Sequence, residues 1–130
     1  MRIAVVGAGL MGAGIAQVSA VAGHDVVLQD VSQDGLARGV AGIEKSLAKF
    51  AQKGKLSSGD VDLALDRITT TTDLDAVGES EFIVEAVFEK IDIKAAIFAR
   101  LDTICGDDVV MATNTSAIPI TSIAAFTSRP

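Results

Sequence analysis

The sequence predicts an α/β fold built around a doubly wound parallel sheet. Short apolar segments of strand length alternate along the chain with helical segments, beginning with a strand over 2–6 and a helix over 13–20. The mean hydropathy is +0.44, as expected for a sheet covered on both faces. The length of 130 residues suits one domain with a core of its own.

A glycine-rich turn joins the first strand to the first helix, and its sequence is Gly7-Ala8-Gly9-Leu10-Met11-Gly12. In the pattern G-x-G-x-x-G, the first glycine allows a sharp turn and the second lets a pyrophosphate approach the backbone. The third allows the helix to pack close to the strand. Unpaired N–H groups of the first helical turn then face the phosphates. The turn therefore predicts a dinucleotide-binding site.

An acidic residue stands where the bound dinucleotide would place a ribose. Asp30 directly follows the second predicted strand, Asp25–Gln29, and stands eighteen residues after Gly12. A carboxylate there accepts hydrogen bonds from the 2′- and 3′-hydroxyls of the adenosine ribose and repels a 2′-phosphate. No arginine follows at once in the segment 31–33. We therefore predict NAD(H) rather than NADP(H) as the cofactor.

The rest of the chain continues the alternation of helices and strands. Ser32 is a good N-cap for a long helix over 33–53 that ends at Gly54. Apolar residues at spacings of three and four predict its buried face: Leu36, Val40, Ile43, Leu47 and Phe50. The remaining predicted elements are a helix from 58 to 65, a strand over 68–71, a turn or helical turn over 73–77, a strand over 81–87, a helix over 91–101 that can extend to 104, a strand over 109–113, and a helix near 120–126 opened by Pro119.

Two polar segments follow the last two predicted strands, and they are Glu85-Ala86-Val87-Phe88-Glu89 and Thr113-Asn114-Thr115-Ser116. Because ligands bind parallel sheets at the carboxyl ends of the strands, we expect both segments to face the nicotinamide half of the cofactor. Simpler interpretations stay open. Glu85 can be a strand-end acid, Glu89 an acid favoured at a helix N-terminus, and Ser116 a turn serine.

Taken together, the run Gly7–Ala16, the segment Glu85–Glu89 and the segment Ala112–Ser116 resemble the L-3-hydroxyacyl-CoA dehydrogenases, which include the 3-hydroxybutyryl-CoA dehydrogenases. The resemblance extends over the whole chain and implies that residues 1–130 form an NAD-binding Rossmann domain. It also implies an enzyme that interconverts 3-hydroxyacyl-CoA and 3-ketoacyl-CoA by hydride transfer, in fatty-acid β-oxidation or short-chain acyl-CoA metabolism.

The resemblance assigns roles to residues near the reacting groups. Ser116 would hydrogen-bond the C3 oxygen of the substrate and lie near the nicotinamide, in a pocket that Asn114 helps to shape. Glu89 and Lys94 would contact the ribose on the nicotinamide side. Asp30 would contact the adenosine ribose.

The long helix carries the implied CoA contacts, which are Ser46 and Lys53. Lys45, Lys49 and Lys53 follow an i, i+4 spacing and share one face of that helix. A cationic stripe of this kind can hold the phosphates of CoA. The alternative is a solvated helix face without a ligand.

Oxidation of an alcohol also requires a base for the hydroxyl proton. The resemblance implies a histidine held by a glutamate, in a segment shortly after the Asn-Thr-Ser sequence. The only histidine here, His24, precedes the second strand, at the edge of the sheet away from the ligand. We expect the chain to stop before that segment and before the family's helical C-terminal domain. Residues 1–130 should then bind NADH without turnover. Two alternatives remain, a non-catalytic NAD-binding module and a dehydrogenase of a 3-hydroxy acid without CoA.

Composition limits the partners and the location. The net charge of −6 argues against nucleic-acid binding. No apolar run approaches the length of a membrane span, and no signal peptide is visible. A single cysteine, Cys105, suggests a reducing cytoplasm and has no companions for a metal site, so we expect it to be a buried structural residue. The resemblance implies a homodimer for the whole enzyme.

Overall fold

A computed structural model describes residues 1–115 and 118–129 and contains a five-stranded, wholly parallel sheet. The strands are β1 (Arg2–Val6), β2 (Asp25–Gln29), β3 (Ile68–Thr71), β4 (Phe82–Glu85) and β5 (Val110–Thr113). The helices are α1 (Leu10–Val21), α2 (Gln33–Gln52), α3 (Ser58–Asp66), α4 (Ile91–Ile104) and α5 (Ile120–Ala124), with a 3₁₀ helix at Leu74–Glu79. The predicted fold class is confirmed.

The strand order is β3-β2-β1-β4-β5, so the chain moves outward from β1 in one direction and returns to build the other half. The reversal falls between β1 and β4. At their ends Val6 pairs in register with Gln29 on one side and with Glu85 on the other. In an open parallel sheet such a switch point leaves a crevice at the edge where the strands end, which we call the carboxyl edge.

Each face of the sheet carries its own apolar core, because side chains alternate along each strand. Val5 and Leu28 point into a core shared with α1, α2 and α3. Ala4 and Ile83 point into a second core that contains Phe98 of α4. The sheet is therefore covered on both faces, as the composition predicts.

The long helix α2 begins and ends where the sequence predicts. The Ser32 hydroxyl accepts a hydrogen bond from the Gly35 N–H at 3.0 Å, and Gly54 has a positive φ of 72° just after the helix. Leu36, Ile43 and Leu47 are buried as expected and Val40 is half-buried. The prediction was wrong for Phe50, which is 37% exposed. The Lys55 ammonium lies 5.9 Å from the centre of its ring.

Strand β4 is shorter than the predicted span of 81–87. The Ala86 N–H still donates to the Val6 carbonyl at 2.8 Å, but the Val87 N–H donates to the Glu85 carboxylate at 2.7 Å. A side chain has taken the place of the neighbouring strand as hydrogen-bond partner. The chain therefore leaves the sheet at Glu85.

Within residues 1–115 and 118–129, none of the helices combines the length and the hydropathy that a membrane span requires.

The glycine turn brings β1 and α1 into direct contact. Gly7 has a φ of 108°, which L side chains rarely adopt. A Cβ on Gly12 would lie 1.7 Å from the Gly7 carbonyl oxygen, so only a hydrogen fits there. The turn and the start of α1 are thus packed backbone to backbone.

Gly12→Ala should lower the free energy of unfolding by about 3 kcal/mol, because the added methyl group collides with the main chain and cannot be accommodated by a side-chain movement. Urea denaturation of the 130-residue chain measures this. Gly14→Ala is the matched control, since its Cβ would meet none of the described atoms within 4 Å. The control should change stability by about 1 kcal/mol or less. Equal losses in both variants would contradict the close-packing argument.

Candidate dinucleotide-binding site

A cleft of about 1070 Å³ runs along the carboxyl edge at the switch point. Its walls come from the glycine turn and the start of α1, the segment after β2, the cleft-facing side of α2, the segment after β3, and the loop between β4 and α4 together with α4. The lining includes Gly9, Met11, Asp30, Ser46 and Val87. Segments that are far apart in the sequence therefore meet around one space.

The glycine turn supplies one wall of the cleft with accessible backbone. Gly9 is the N-cap of α1, and the first helical hydrogen bond runs from the Ala13 N–H to the Gly9 carbonyl at 2.9 Å. The N–H groups before Ala13 have no partner within the helix. A Cβ on Gly9 would meet none of the described atoms within 4 Å, and Leu10 is 93% exposed. The backbone here can receive an anion, with the positive end of the helix dipole behind it.

Asp30 ties the glycine turn to the segment that follows β2. One carboxylate oxygen accepts from the Ala8 N–H at 2.8 Å, and the other accepts from the Ser32 N–H at 3.0 Å. Each oxygen keeps a lone pair that a hydroxyl donor can use. Asp30 lines the cleft. The carboxylate is thus held in place by the backbone and can accept the hydroxyls of a ribose.

Charge is sparse along the cleft. Of the described residues that line it, Asp30 is the only acidic one and Arg38 the only basic one. Arg38 lies on α2, is exposed, and faces the same space as Gly35 and Gly39. Apolar and glycine residues make up most of the remaining lining, which suits a ligand with flat rings and a localised negative charge.

A buried ionic group lies where β4 and β5 end. The side chains of Glu85 and Lys94 are 0% exposed and are joined by a 2.6 Å contact between Oε2 and Nζ. The other Glu85 oxygen accepts from the Thr113 hydroxyl at 2.5 Å. Lys94 also contacts Glu89 Oε1 at 3.2 Å. Two glutamates therefore share one ammonium group at the carboxyl edge.

The segment after β5 is held against this group. The Asn114 N–H donates to the Glu85 carbonyl at 2.8 Å, and the Thr115 hydroxyl donates to Glu89 Oε2 at 2.7 Å. Ser116, the residue expected at the substrate oxygen, lies outside the described residues.

The structure brings most of the predicted site residues together, but not all. Asn114, Glu89 and Lys94 belong to one hydrogen-bonded group, although the Lys94 side chain is buried and does not line the cleft. Ser46 lines the cleft, whereas Lys53 is an exposed residue at the C-cap of α2 and is not among the lining residues.

Two polar residues have contacts that the sequence did not predict. Glu85 is the centre of the buried group, and the only sequence signal was an acid within an otherwise apolar strand. Gln17 donates from Nε2 to the Ser46 hydroxyl at 2.9 Å across the gap between α1 and α2. Gln17 stands out only as a polar residue in a helix of small residues.

The structure places Cys105 as expected and His24 only in part. His24 follows Gly23 just before β2, at the edge opposite the cleft, and is half-buried rather than fully on the surface. Cys105 is buried, and this burial raises the pKa of its thiol. Among the described residues no group of three or more His, Cys, Asp and Glu side chains could hold a metal ion.

The fold, the open glycine turn and the acid at the end of β2 define a dinucleotide-binding domain of the NAD type. The chain belongs to the family described as "3-hydroxyacyl-CoA dehydrogenase, NAD binding domain", whose model matches residues 2–130. NAD is the cofactor of this domain family.

The chain is also similar to individual proteins in sequence and in structure. The chain is 45% identical over its whole length to the probable 3-hydroxybutyryl-CoA dehydrogenase of Deinococcus radiodurans, covering 46% of that protein. It is 46% identical to the human mitochondrial hydroxyacyl-coenzyme A dehydrogenase, with 98% of this chain and 43% of that protein covered. The crystal structure of Mycobacterium tuberculosis FadB2 matches with a TM-score of 0.95 and 43% identity, covering 98% of this chain and 45% of that one. The chain thus spans less than half the length of these relatives.

Asp30→Asn should weaken NADH binding by about tenfold, because hydrogen bonds to a charged acceptor are replaced by weaker ones. It should also narrow the preference for NADH over NADPH, since the repulsion of a 2′-phosphate is removed. Fluorescence titration of the 130-residue chain with both nucleotides measures the two effects.

Asp34→Asn is the control for this change. Asp34 is an exposed acid in the first turn of α2, and its substitution removes the same unit of charge. It should leave both affinities within about twofold. If the two variants behave alike, net charge and not the placement of Asp30 decides the preference.

Proposed function

We propose that the chain binds NAD(H) along the cleft and supplies the cofactor half of an enzyme that interconverts 3-hydroxyacyl-CoA and 3-ketoacyl-CoA. The observation that carries this proposal is that two groups of candidate binding residues border the same cleft. The glycine turn and Asp30 form one end, and the loop that carries Glu89 flanks the other. The family match over residues 2–130 supports it.

The adenosine half of the cofactor would occupy the end nearer Asp30. The carboxylate would accept the ribose hydroxyls while it keeps its bonds to the Ala8 and Ser32 N–H groups. Gly7, Gly9 and Gly12 would let the pyrophosphate approach the backbone, and Leu10 and Met11 would flank it.

The nicotinamide half would lie toward the ends of β4 and β5. Glu89 is the residue we assign to direct contact with the ribose there, because its side chain is 38% exposed while its carboxylate is held by Lys94 and Thr115. Lys94 would then act through Glu89. Asn114 and Ser116 are proposed to shape the pocket and to bond the C3 oxygen of the substrate.

The chemistry that NAD(H) would supply here, when bound, is hydride transfer to or from C3 of the substrate. The residues of the chain must then hold the C3 oxygen and exclude water, and a base must take the hydroxyl proton. His24 is the only histidine of the chain and stands at the opposite edge of the sheet. We therefore infer that the described residues bind the cofactor and position the substrate but do not supply the base.

The 130-residue chain should bind NADH yet fail to oxidise it in the presence of acetoacetyl-CoA. Reduction of the ketone needs a general acid to protonate the C3 oxygen as the hydride arrives, and the only histidine, His24, lies at the opposite edge of the sheet. Binding is followed by the fluorescence of NADH, and turnover by the loss of its absorbance. His24→Ala should change neither result. Sustained NADH oxidation by the chain would disprove this division of roles.

The CoA part of the substrate is proposed to lie along α2. Ser46 lines the cleft, and the exposed residues Lys45, Lys49 and Lys53 continue one face of the helix away from it. Phosphates on the CoA would be attracted to these ammonium groups. A 3-hydroxy acid without CoA would make no use of this stripe.

Lys53→Ala should weaken the binding of acetoacetyl-CoA by about threefold at low ionic strength, and less at high salt, as expected for an exposed charge contact. Isothermal titration of the 130-residue chain measures it. Arg2→Ala is the matched control. It removes the charge of an exposed side chain at the opposite edge of the sheet, where Arg2 pairs with Glu79 at 3.4 Å. An unchanged affinity for Lys53→Ala would remove that residue from the CoA site.

One observation favours a second function, that of an NAD-binding module without catalysis. It is the position of His24, far from the cleft. For the whole protein we propose a homodimer, on the basis of the family resemblance, and a cytoplasmic location, on the basis of its single cysteine. Light scattering of the purified whole protein would test the dimer.

A further inference from the structure

We propose that Glu85 is a positioning residue for the nicotinamide end of the cleft, an inference that rests on the proposed function. It is not a contact residue, because its side chain is fully buried and does not line the cleft. Its role would be to fix the two segments between which the nicotinamide is held.

Glu85 contacts both of these segments. Toward β5, its carboxylate accepts from the Thr113 hydroxyl and its carbonyl accepts from the Asn114 N–H. Toward α4, its other oxygen accepts from the Val87 N–H, and Val87 lines the cleft. One residue therefore sets the position of the loop after β4 and of the segment after β5.

The contacts continue from Glu85 to the surface of the site. Lys94 links the buried carboxylate to that of Glu89, and Glu89 in turn accepts from Thr115. The chain of contacts begins at Glu85 and ends at side chains beside Asn114. A shift of the Glu85 carboxylate would thus be passed to the residue proposed to bond the ribose.

Stability alone gives a weak reason for this arrangement. A buried ion pair has to offset the loss of hydration of both charges, and well-packed apolar side chains often stabilise a core at least as well. Every partner of Glu85 lies at the carboxyl edge. Nearer the opposite end of the same strand, Ile83 packs into the apolar core that contains Phe98. The buried charge thus lies at the edge where the ligand is expected.

The test compares two ligands of the same cleft in the 130-residue chain. NADH reaches both ends, whereas ADP occupies only the end beside Asp30. Glu85→Gln keeps the size of the side chain but removes its charge and one acceptor oxygen. It should weaken NADH binding by about tenfold and leave ADP binding within about twofold. The fluorescence increase of bound NADH should also fall, because the nicotinamide is held less firmly.

A milder variant covers the case in which Glu85→Gln does not fold. Thr113→Val has nearly the same shape and removes only the hydroxyl that donates to Glu85. It should weaken NADH binding by about threefold with ADP binding unchanged. Arg100→Gln is the control. Arg100 lies on the same helix as Lys94, and its substitution breaks only an exposed ion pair with Asp75, so neither ligand should bind differently.

The outcomes distinguish a failure of the proposed function from a failure of the role given to Glu85. If the unaltered chain fails to bind NADH, the proposed function is wrong. If it binds NADH but Glu85→Gln and Thr113→Val weaken NADH and ADP equally, the role of Glu85 is structural and this inference is wrong. An unchanged NADH affinity in both variants would also overturn it.

Discussion

The architecture depends on one contact, the packing of the start of α1 directly onto the turn that leaves β1. The Gly7 carbonyl oxygen lies where any side chain at Gly12 would stand. This contact aims the N-terminus of α1 into the switch point, and Gly9 stays open to the cleft. Because this wall of the cleft is made of backbone, its shape is set by packing and not by the chemistry of any side chain.

Polar side chains at the carboxyl edge then connect segments that are far apart in sequence. Asp30 joins the glycine turn to the start of α2, and Glu85 joins the loop after β4 to the segment after β5. Both carboxylates accept backbone N–H groups, so the loops that carry the site are fixed although they lie outside the sheet. A site held in this way loses little freedom when a ligand binds.

Much of the fold could be predicted because its signals are local. The strands β1 and β2, the N-cap at Ser32 and the stop at Gly54 follow from neighbouring residues and agree with the structure. The end of β4 could not be predicted in this way, since the Glu85 side chain takes the Val87 N–H from the sheet. Phe50 fits the apolar spacing of α2, yet it lies in the last turn of the helix and is partly exposed to water.

The sequence by itself determined the fold class and the cofactor type, because a glycine motif and an acid after the next strand express a local mechanism. The tertiary structure decided the contacts at the ends of β4 and β5. That Lys94 is buried between two glutamates, that Glu85 holds Thr113, and that Gln17 meets Ser46 depends on contacts between residues 5 to 29 positions apart. Such contacts leave no periodic trace in the sequence, since they arise only when the strands and helices have packed together.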